Sequence, residues 1–322
     1  MRTLVTGGAG FIGSALVDRL VQGGHEVVVA DDLSTGKVEN LADALTSGRV
    51  HLAQVDVSGP DLAGVVAEAR PEVVYHLAAQ IDVRRSVAEP VLDARVNVLG
   101  TIQAARAALE AGCRRLLFAS SGGTVYGEPD PSELPIDESY PPRVTNPYGV
   151  SKRAAEDYLD SLASLHGLEP VSLRLGNIYG PRQDPHGEAG VVAIFCDRLL
   201  SDQPVTVFGD GRQTRDYLFV DDAVDAFVAA GGAEGAAGAK LNIGTGTQTS
   251  VLELYDALRT VTGFGPEPTF VPPRTGELQA IALDCARAEQ VLGWRPRLDL
   301  KGGLERTWEW AFQEVNAGSV GG

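Results

Sequence analysis

Arg2-Thr3-Leu4-Val5-Thr6-Gly7-Gly8-Ala9-Gly10-Phe11-Ile12-Gly13 decides the fold. Arg2 to Thr6 is the short apolar run of a buried strand. From Phe11 to Leu20 the apolar residues Phe11, Ile12, Ala15, Leu16 and Leu20 recur at helical spacing. Gly7, Gly10 and Gly13 stand three residues apart between the two. A strand that bends sharply into a helix needs residues free of Cβ at the bend, and the bare backbone lets a pyrophosphate approach the positive helix end. The next strand, Glu26-Val27-Val28-Val29-Ala30, ends at Asp31, 18 residues beyond Gly13. That is near the spacing of a carboxylate that takes a ribose diol. Negative charge there disfavours a 2′-phosphate, so the expected dinucleotide is NAD and not NADP.

Outward from this turn, strand and helix signals alternate. Val50 to Val57, Glu72 to Ala79, Arg115 to Ser121 and Pro170 to Arg174 read as strands, and Val91 to Ala111 and Tyr148 to about Leu165 as helices. Short apolar runs divided by helices predict a parallel sheet covered on both faces. The expected class is α/β, a doubly wound parallel Rossmann sheet with a smaller C-terminal α/β substrate-binding lobe. The expected division is residues 1–177 for the dinucleotide domain, with a return of about 219–245, and 178–316 for the lobe. Residues 317–322 read as a flexible tail and Gly231 to Gly238 as a surface loop.

With 322 residues the chain can bury a substantial core. Its formal charge of −16 argues against a nucleic-acid partner. Cys113, Cys196 and Cys285 form no Cys-x-x-Cys, a pattern of reducing compartments rather than of disulfides or a metal centre. No basic-then-apolar leader precedes the first strand and no apolar run reaches 18 residues, so the expectation is a soluble, cytoplasmic protein without a membrane partner.

The second decisive stretch is Asn146-Pro147-Tyr148-Gly149-Val150-Ser151-Lys152. Four residues apart on a helix, Tyr148 and Lys152 share a face. A free tyrosine, with a pKa near 10, is a poor base; bringing one to about 7 takes roughly 4 kcal/mol at about 1.36 kcal/mol per pH unit. An ammonium supplies part of that stabilisation, and an oxidised nicotinamide, itself cationic, supplies more. The motif therefore belongs beside a redox dinucleotide. His76, with nothing to pair with in sequence, reads as a packed strand histidine.

These motifs in order, together with Asp31-Asp32-Leu33-Ser34, His76-Leu77-Ala78-Ala79 and Ser120-Ser121-Gly122-Gly123-Thr124-Val125-Tyr126-Gly127, resemble the extended short-chain dehydrogenase/reductases that act on nucleotide sugars. The resemblance runs from residue 1 to about Phe312. Within that family the chain most resembles the 4-epimerases of UDP-glucose and UDP-galactose. The resemblance implies a tightly held NAD, a UDP-sugar substrate, usually a homodimer, and epimerisation at C4 through a transient 4-keto sugar, with Tyr148 as base beside Lys152. Family members often carry a third hydroxyl where this chain has Gly122, and others pair a hydroxyl with Gly-Gly. Ser121 is therefore the expected partner of the sugar oxygen, with Thr124 in reserve.

By the same resemblance the cofactor contacts are Gly7, Gly10, Phe11, Ile12, Gly13, Asp31, Asp32, Leu33, Ser34, Gly36 and Lys37, then Asp56 and Val57 at the adenine. Leu77, Ala78, Ala79 and Gln80 run along the pyrophosphate and ribose. Asn97 anchors backbone, and Ser120 lies at the cofactor edge beside Tyr148 and Lys152. Arg215 and Arg274 match arginines that clamp a diphosphate bidentately. Asn177 matches an asparagine near the phosphates, Glu277 an acid on the uridine ribose, and Phe208 a ring against the uracil.

Ile281 stands where relatives use a bulky aromatic to exclude N-acetyl groups, which leaves N-acetyl sugars admissible. A 4,6-dehydratase of the family needs an acid pair, as in Thr-Asp-Glu, and the decarboxylases of UDP-glucuronate a glutamate; Ser121-Gly122-Gly123-Thr124 offers neither. A UDP-glucuronate 4-epimerase stays open. A non-catalytic NAD-binding sensor is disfavoured by the tyrosine, lysine and hydroxyl together.

Overall fold

The computed structural model describes residues 1–186, 190–274 and 278–320. Strands β1 (Arg2–Thr6), β2 (Glu26–Asp31), β3 (Val50–Gln54), β4 (Val73–His76), β5 (Arg115–Ser121) and β6 (Glu169–Leu175) alternate with helices. Then come β7 (Asn177–Tyr179), β8 (Thr206–Phe208), β9 (Thr214–Arg215), β10 (Tyr217–Phe219), β11 (Lys240–Ile243), β12 (Thr249–Ser250) and β13 (Thr269–Val271). Seven strands form one parallel sheet in the order β11-β6-β5-β4-β1-β2-β3. Strand order runs outward in both directions from β1, so the crevice between β1 and β4 at their carboxyl ends is the switch point where such sheets bind ligands.

Alternate residues along each strand feed opposite cores. Val5, Val27 and Val29 pack on one face under Leu16, Val17 and Leu20 of the helix Phe11–Gln22 and Val224 and Phe227 of the helix Val220–Gly232. Leu4, Val74, Leu116 and Phe118 pack on the other, under Val66, Ala104, Ala108, Ala155 and Leu159. Burial on both faces is why these strands read as continuous apolar runs. β11 joins the sheet as a parallel edge strand on β6. The remaining strands pair in twos: β7 with β10, β8 with β13, and β9 with β12. Phe195, Leu199, Tyr255, Leu258 and Leu304 of this smaller lobe belong to the same core as the first face.

Several boundaries depart from the sequence reading. β3 stops at Gln54, because the Asp56 carboxylate takes the Ser58 N–H and hydroxyl in a local turn. β4 stops at His76, where the chain turns toward the switch point. The expected loop 231–238 is not all surface: the helix continues to Gly232, Ala236 is fully buried, and the Arg115 guanidinium holds the carbonyls of Ala230 and Ala233. The last helix, Leu300–Val320, overlaps the expected tail. No helix among the described residues is long and apolar enough to cross a membrane.

Candidate active site

The glycine turn folds as its spacing requires. Gly7 has φ +68°, a left-handed backbone, and a Cβ added there would stand 2.7 Å from the Ala78 nitrogen. The segment leaving β4 thus lies directly on the turn leaving β1. The helix Phe11–Gln22 begins with no side-chain cap and no acidic residue in its first turn. Its positive end is open to an anion, which is the fit a dinucleotide pyrophosphate needs.

Asp31 is buried at the end of β2 and accepts the Ala9 N–H and the Leu33 N–H, each at 2.9 Å. Burial pushes its carboxyl above the ordinary range, and the two backbone donors oppose that. Gly36 lies against it, since an added Cβ would fall 2.8 and 3.0 Å from the two carboxylate oxygens. Asp32 instead faces solvent and caps Ser34 through its N–H and hydroxyl. The loop folds back on the turn, with Lys37 N–H and Asn40 Nδ2 donating to the Ala9 carbonyl. The Lys37 ammonium reaches Asp184, at 3.3 Å, and Arg182 reaches Asp18, at 2.7 Å, so the loop after β7 is tied to the cofactor side.

Beyond β4, the Ala78 N–H donates to Thr6 Oγ1 at 3.2 Å. Thr6 Oγ1 lies 2.7 Å from His76 Nδ1, and His76 Nε2 lies 3.0 Å from Thr101 Oγ1, whose proton goes to the Asn97 carbonyl. Because Thr101 has given its proton away, His76 donates from Nε2 and accepts the Thr6 proton at Nδ1. Burial, then the Lys152 charge, pushes this histidine down to about 3, so it is neutral. His76 is a packed structural residue that orders Ala78. Asn97 grips Gln80 at both ends, its Oδ1 taking the Gln80 N–H and its Nδ2 meeting the Gln80 carbonyl.

The helix Pro147–His166 carries Tyr148 and Lys152. Asn146 caps it by accepting the Gly149 N–H at 2.8 Å, Pro147 occupies the first turn, and Gly167 ends it at φ +70°. Tyr148 and Lys152 are both buried on its inner face. The Lys152 ammonium donates to the Ala119 carbonyl at 2.9 Å and lies 4.9 Å from the Phe118 ring centre and 5.7 Å from that of Tyr148. A Cβ at Gly149 would meet the Thr124 carbonyl at 2.8 Å, so bare backbone lets the helix close on the segment after β5.

That segment separates the expected hydroxyls. Ser120 is buried and donates to Glu156 at 2.7 Å, so its hydroxyl is committed inside the fold and not to the cleft. Ser121 Oγ and Asn177 Oδ1 both border the bare Gly123, each 4.0 Å from where its Cβ would be. Thr124 Oγ1 is buried without a hydrogen-bond partner among the described residues. Gly122 has no room for a hydroxymethyl, because a Cβ there would stand 2.6 Å from Leu283 Cδ1.

The Arg274 guanidinium carbon lies 3.7 Å from the centre of the Phe208 ring, a cationic and aromatic pair at the end of β8. Arg215 donates to the Thr214 carbonyl, and the Asn177 N–H joins this strand to β7 through the Asp216 carbonyl at 2.7 Å. Glu277 lies outside the described residues. Ile281 is packed with Tyr126, Ile136 and Leu283 rather than on a cleft wall, which corrects its expected place facing a sugar substituent.

The model of the NAD dependent epimerase/dehydratase family matches residues 3–244. The chain belongs to that family. A UDP-glucose 4-epimerase of Mycolicibacterium smegmatis is 51% identical over 309 residues, covering 96% of this chain and 98% of that one. The structure of a UDP-glucose 4-epimerase from Thermotoga maritima with UDP-glucose superposes with a TM-score of 0.93 at 41% identity, covering 98% and 100% of the two chains. That of Thermus thermophilus UDP-glucose 4-epimerase with NAD gives 0.89 at 42%, covering 97% and 99%.

For a member of this family, sequence reasoning missed the buried polar residues behind the site. Glu156, fully buried, takes Arg174 Nε and Nη2 at 2.9 and 2.6 Å. Arg174 also donates to the Tyr126 hydroxyl, which donates to Asn242. Asp93, Ser151 and Asp216 were missed too. Glu156 had a signal, standing four residues after Lys152 and eight after Tyr148 on one helical face.

Proposed function

We propose that this chain is an NAD-dependent 4-epimerase of UDP-hexoses, interconverting UDP-glucose and UDP-galactose. The observation that carries the reading is the placement of Tyr148 and Lys152. Both lie on the buried face of one helix, against the carboxyl end of β5 and beside the β1/β4 switch point. The high identity to full-length relatives with that activity supports the substrate class.

In this reading Tyr148 takes the proton of the sugar 4-hydroxyl and later returns it. Lys152 favours the phenolate electrostatically. Ser121, with Thr124 beside it, donates to the sugar oxygen as that oxygen becomes a carbonyl. The glycine turn, Asp31 and the 77–80 segment would hold NAD, which when bound would supply a hydride acceptor and donor at the sugar C4. Arg215, Arg274, Asn177 and Phe208 hold the nucleoside diphosphate while the sugar turns. The enzyme works as a cytoplasmic homodimer.

The test is Tyr148→Phe in NAD-loaded enzyme, assayed by conversion of UDP-galactose to UDP-glucose. The expected result is a fall in kcat of at least ~10²-fold, the low end for a lost acid–base group, with NAD content unchanged. Near-normal turnover would overturn the assignment. Running N-acetyl forms and UDP-glucuronate beside UDP-glucose tells which sugar is preferred.

A further inference from the structure

We propose that Asp93 is a positioning residue whose buried carboxylate holds the Tyr148 helix and the cofactor-side segment 78–80 in one fixed relation. The inference rests on the role given to Tyr148 above and deepens it.

Asp93, on the helix Pro90–Ala94, has 0% of its surface exposed. Its Oδ1 accepts from Gln80 Nε2 and from Asn97 Nδ2, both at 2.9 Å, and its Oδ2 accepts from Ser151 Oγ at 2.6 Å. Gln80 belongs to the segment leaving β4 at the switch point, and Asn97 clamps that residue's N–H and carbonyl. Ser151 lies between Tyr148 and Lys152 on the reactive helix. One carboxylate therefore bonds at once to the segment after β4, the turn that carries Asn97 and the helix that carries Tyr148. An ionised carboxylate is acceptor-only with about four lone-pair directions, which suits three convergent donors.

A second tie runs in parallel. Ser86 Oγ accepts the Tyr148 N–H at 3.2 Å and donates its own proton to the Val83 carbonyl. Asn97 lies in one widened, π-helical turn, Arg95–Leu99, inserted in the helical stretch from Pro90 to Glu110. Such turns concentrate at functional sites, and this one carries the residue that links Asp93 to Gln80. A buried carboxylate without these donors is costly. A packed leucine would serve stability alone as well. What the carboxylate adds is direction, since each donor fixes one wall of the space where the phenol meets the cofactor.

The experiment uses NAD-loaded, full-length enzyme, with kcat and KM for UDP-galactose measured separately. Asp93→Ala is expected to lower kcat by ~10- to ~10²-fold, the cost of a misplacement of about 1 Å at reacting groups. KM should stay within about threefold, because the diphosphate contacts Arg215 and Arg274 lie on the other lobe. In Asp93→Asn the oxygen keeps both amide donors and the new NH₂ donates to a turned Ser151 hydroxyl, so kcat should return to within about threefold of wild type. Ser151→Ala cuts only the spoke to the reactive helix and should lower kcat ~3- to ~10-fold. It carries the test if Asp93→Ala does not fold.

Wild-type kcat in Ser151→Ala, or Asp93→Asn no faster than Asp93→Ala, overturns the proposal. So does a loss that appears wholly in KM. Tyr148→Phe in the same series keeps the two readings apart. If it is active, the role of Tyr148 fails; if it is inactive while Ser151→Ala is normal, only the role of Asp93 fails.

Discussion

Replacing His76 by glutamine tests the neutral-histidine relay under the cofactor segment. In the native state both ring nitrogens are engaged with threonine hydroxyls, the side chain is 1% exposed, and burial pushes the imidazole down to about 3. In the unfolded chain a histidine titrates near 6.5. Between these values the unfolded state binds a proton that the native state does not, so stability rises with pH through this window and is lost as pH falls. Below about 6.5 the loss is about 1.4 kcal/mol per pH unit, or about 2 kcal/mol by pH 5, with a ceiling near 5 kcal/mol once the native ring itself titrates. His76→Gln keeps an acceptor for Thr6 and a donor for Thr101 but cannot titrate. At pH 7.5 the variant should be less stable by about 1–2 kcal/mol for imperfect geometry. At pH 5 that deficit should vanish or reverse, because only the wild type carries the histidine penalty. Urea unfolding of both proteins at the two pH values gives the double difference, in which all other titrating groups cancel. Parallel stability curves, with the deficit unchanged at pH 5, would show that the relay is not held neutral and refute the reasoning.

Three further substitutions probe the packing around β5 and β6. Glu156→Gln leaves the Arg174 guanidinium buried without its counter-charge and should cost about 3–5 kcal/mol in urea unfolding; a loss below about 1 kcal/mol would mean the arginine finds solvent. Gly122→Ser forces atoms into Leu283 and should destabilise by about 1–3 kcal/mol. Leu283→Ala should recover part of that in a double-mutant cycle, and strict additivity would show that the two positions do not compete for the same space.

The fold was legible because its determinants are local. Gly7, Gly10 and Gly13 mark a backbone event, and the runs of β1, β2 and β5 mark burial on both faces; neither depends on which partner strand lies alongside. The shared buried face of Tyr148 and Lys152 was legible for the same reason, since the two are one helical turn apart. What stayed hidden were residues whose partners are remote in sequence. Asp93 meets Ser151 58 positions away, and His76 meets Thr6 at a separation of 70. No local period announces such a contact. Ser120 and Ser121 show the limit within a single dipeptide, since one faces Glu156 and the other borders Gly123. Ile281 failed as a pocket residue because alignment gives a position along the chain but not the direction of a side chain within a packed cluster.

Several of the buried ionisable and polar groups gather where strands end. Asp31 ties the glycine turn to the loop after β2, and His76 fixes Ala78 after β4. Glu156 holds Ser120 near the end of β5, and Asp216 gathers Thr245, Gly246 and Leu283 after β9. A loop at a strand end has lost its ladder partners, and its main-chain donors must find others or face water. Side-chain acceptors that supply those partners from beneath make such loops rigid without filling the cleft above them. The polar groups that burial makes expensive are therefore the ones that let a sheet edge act as a defined surface. This explains why the polar residues that hold these strand-end loops in shape lie beneath them.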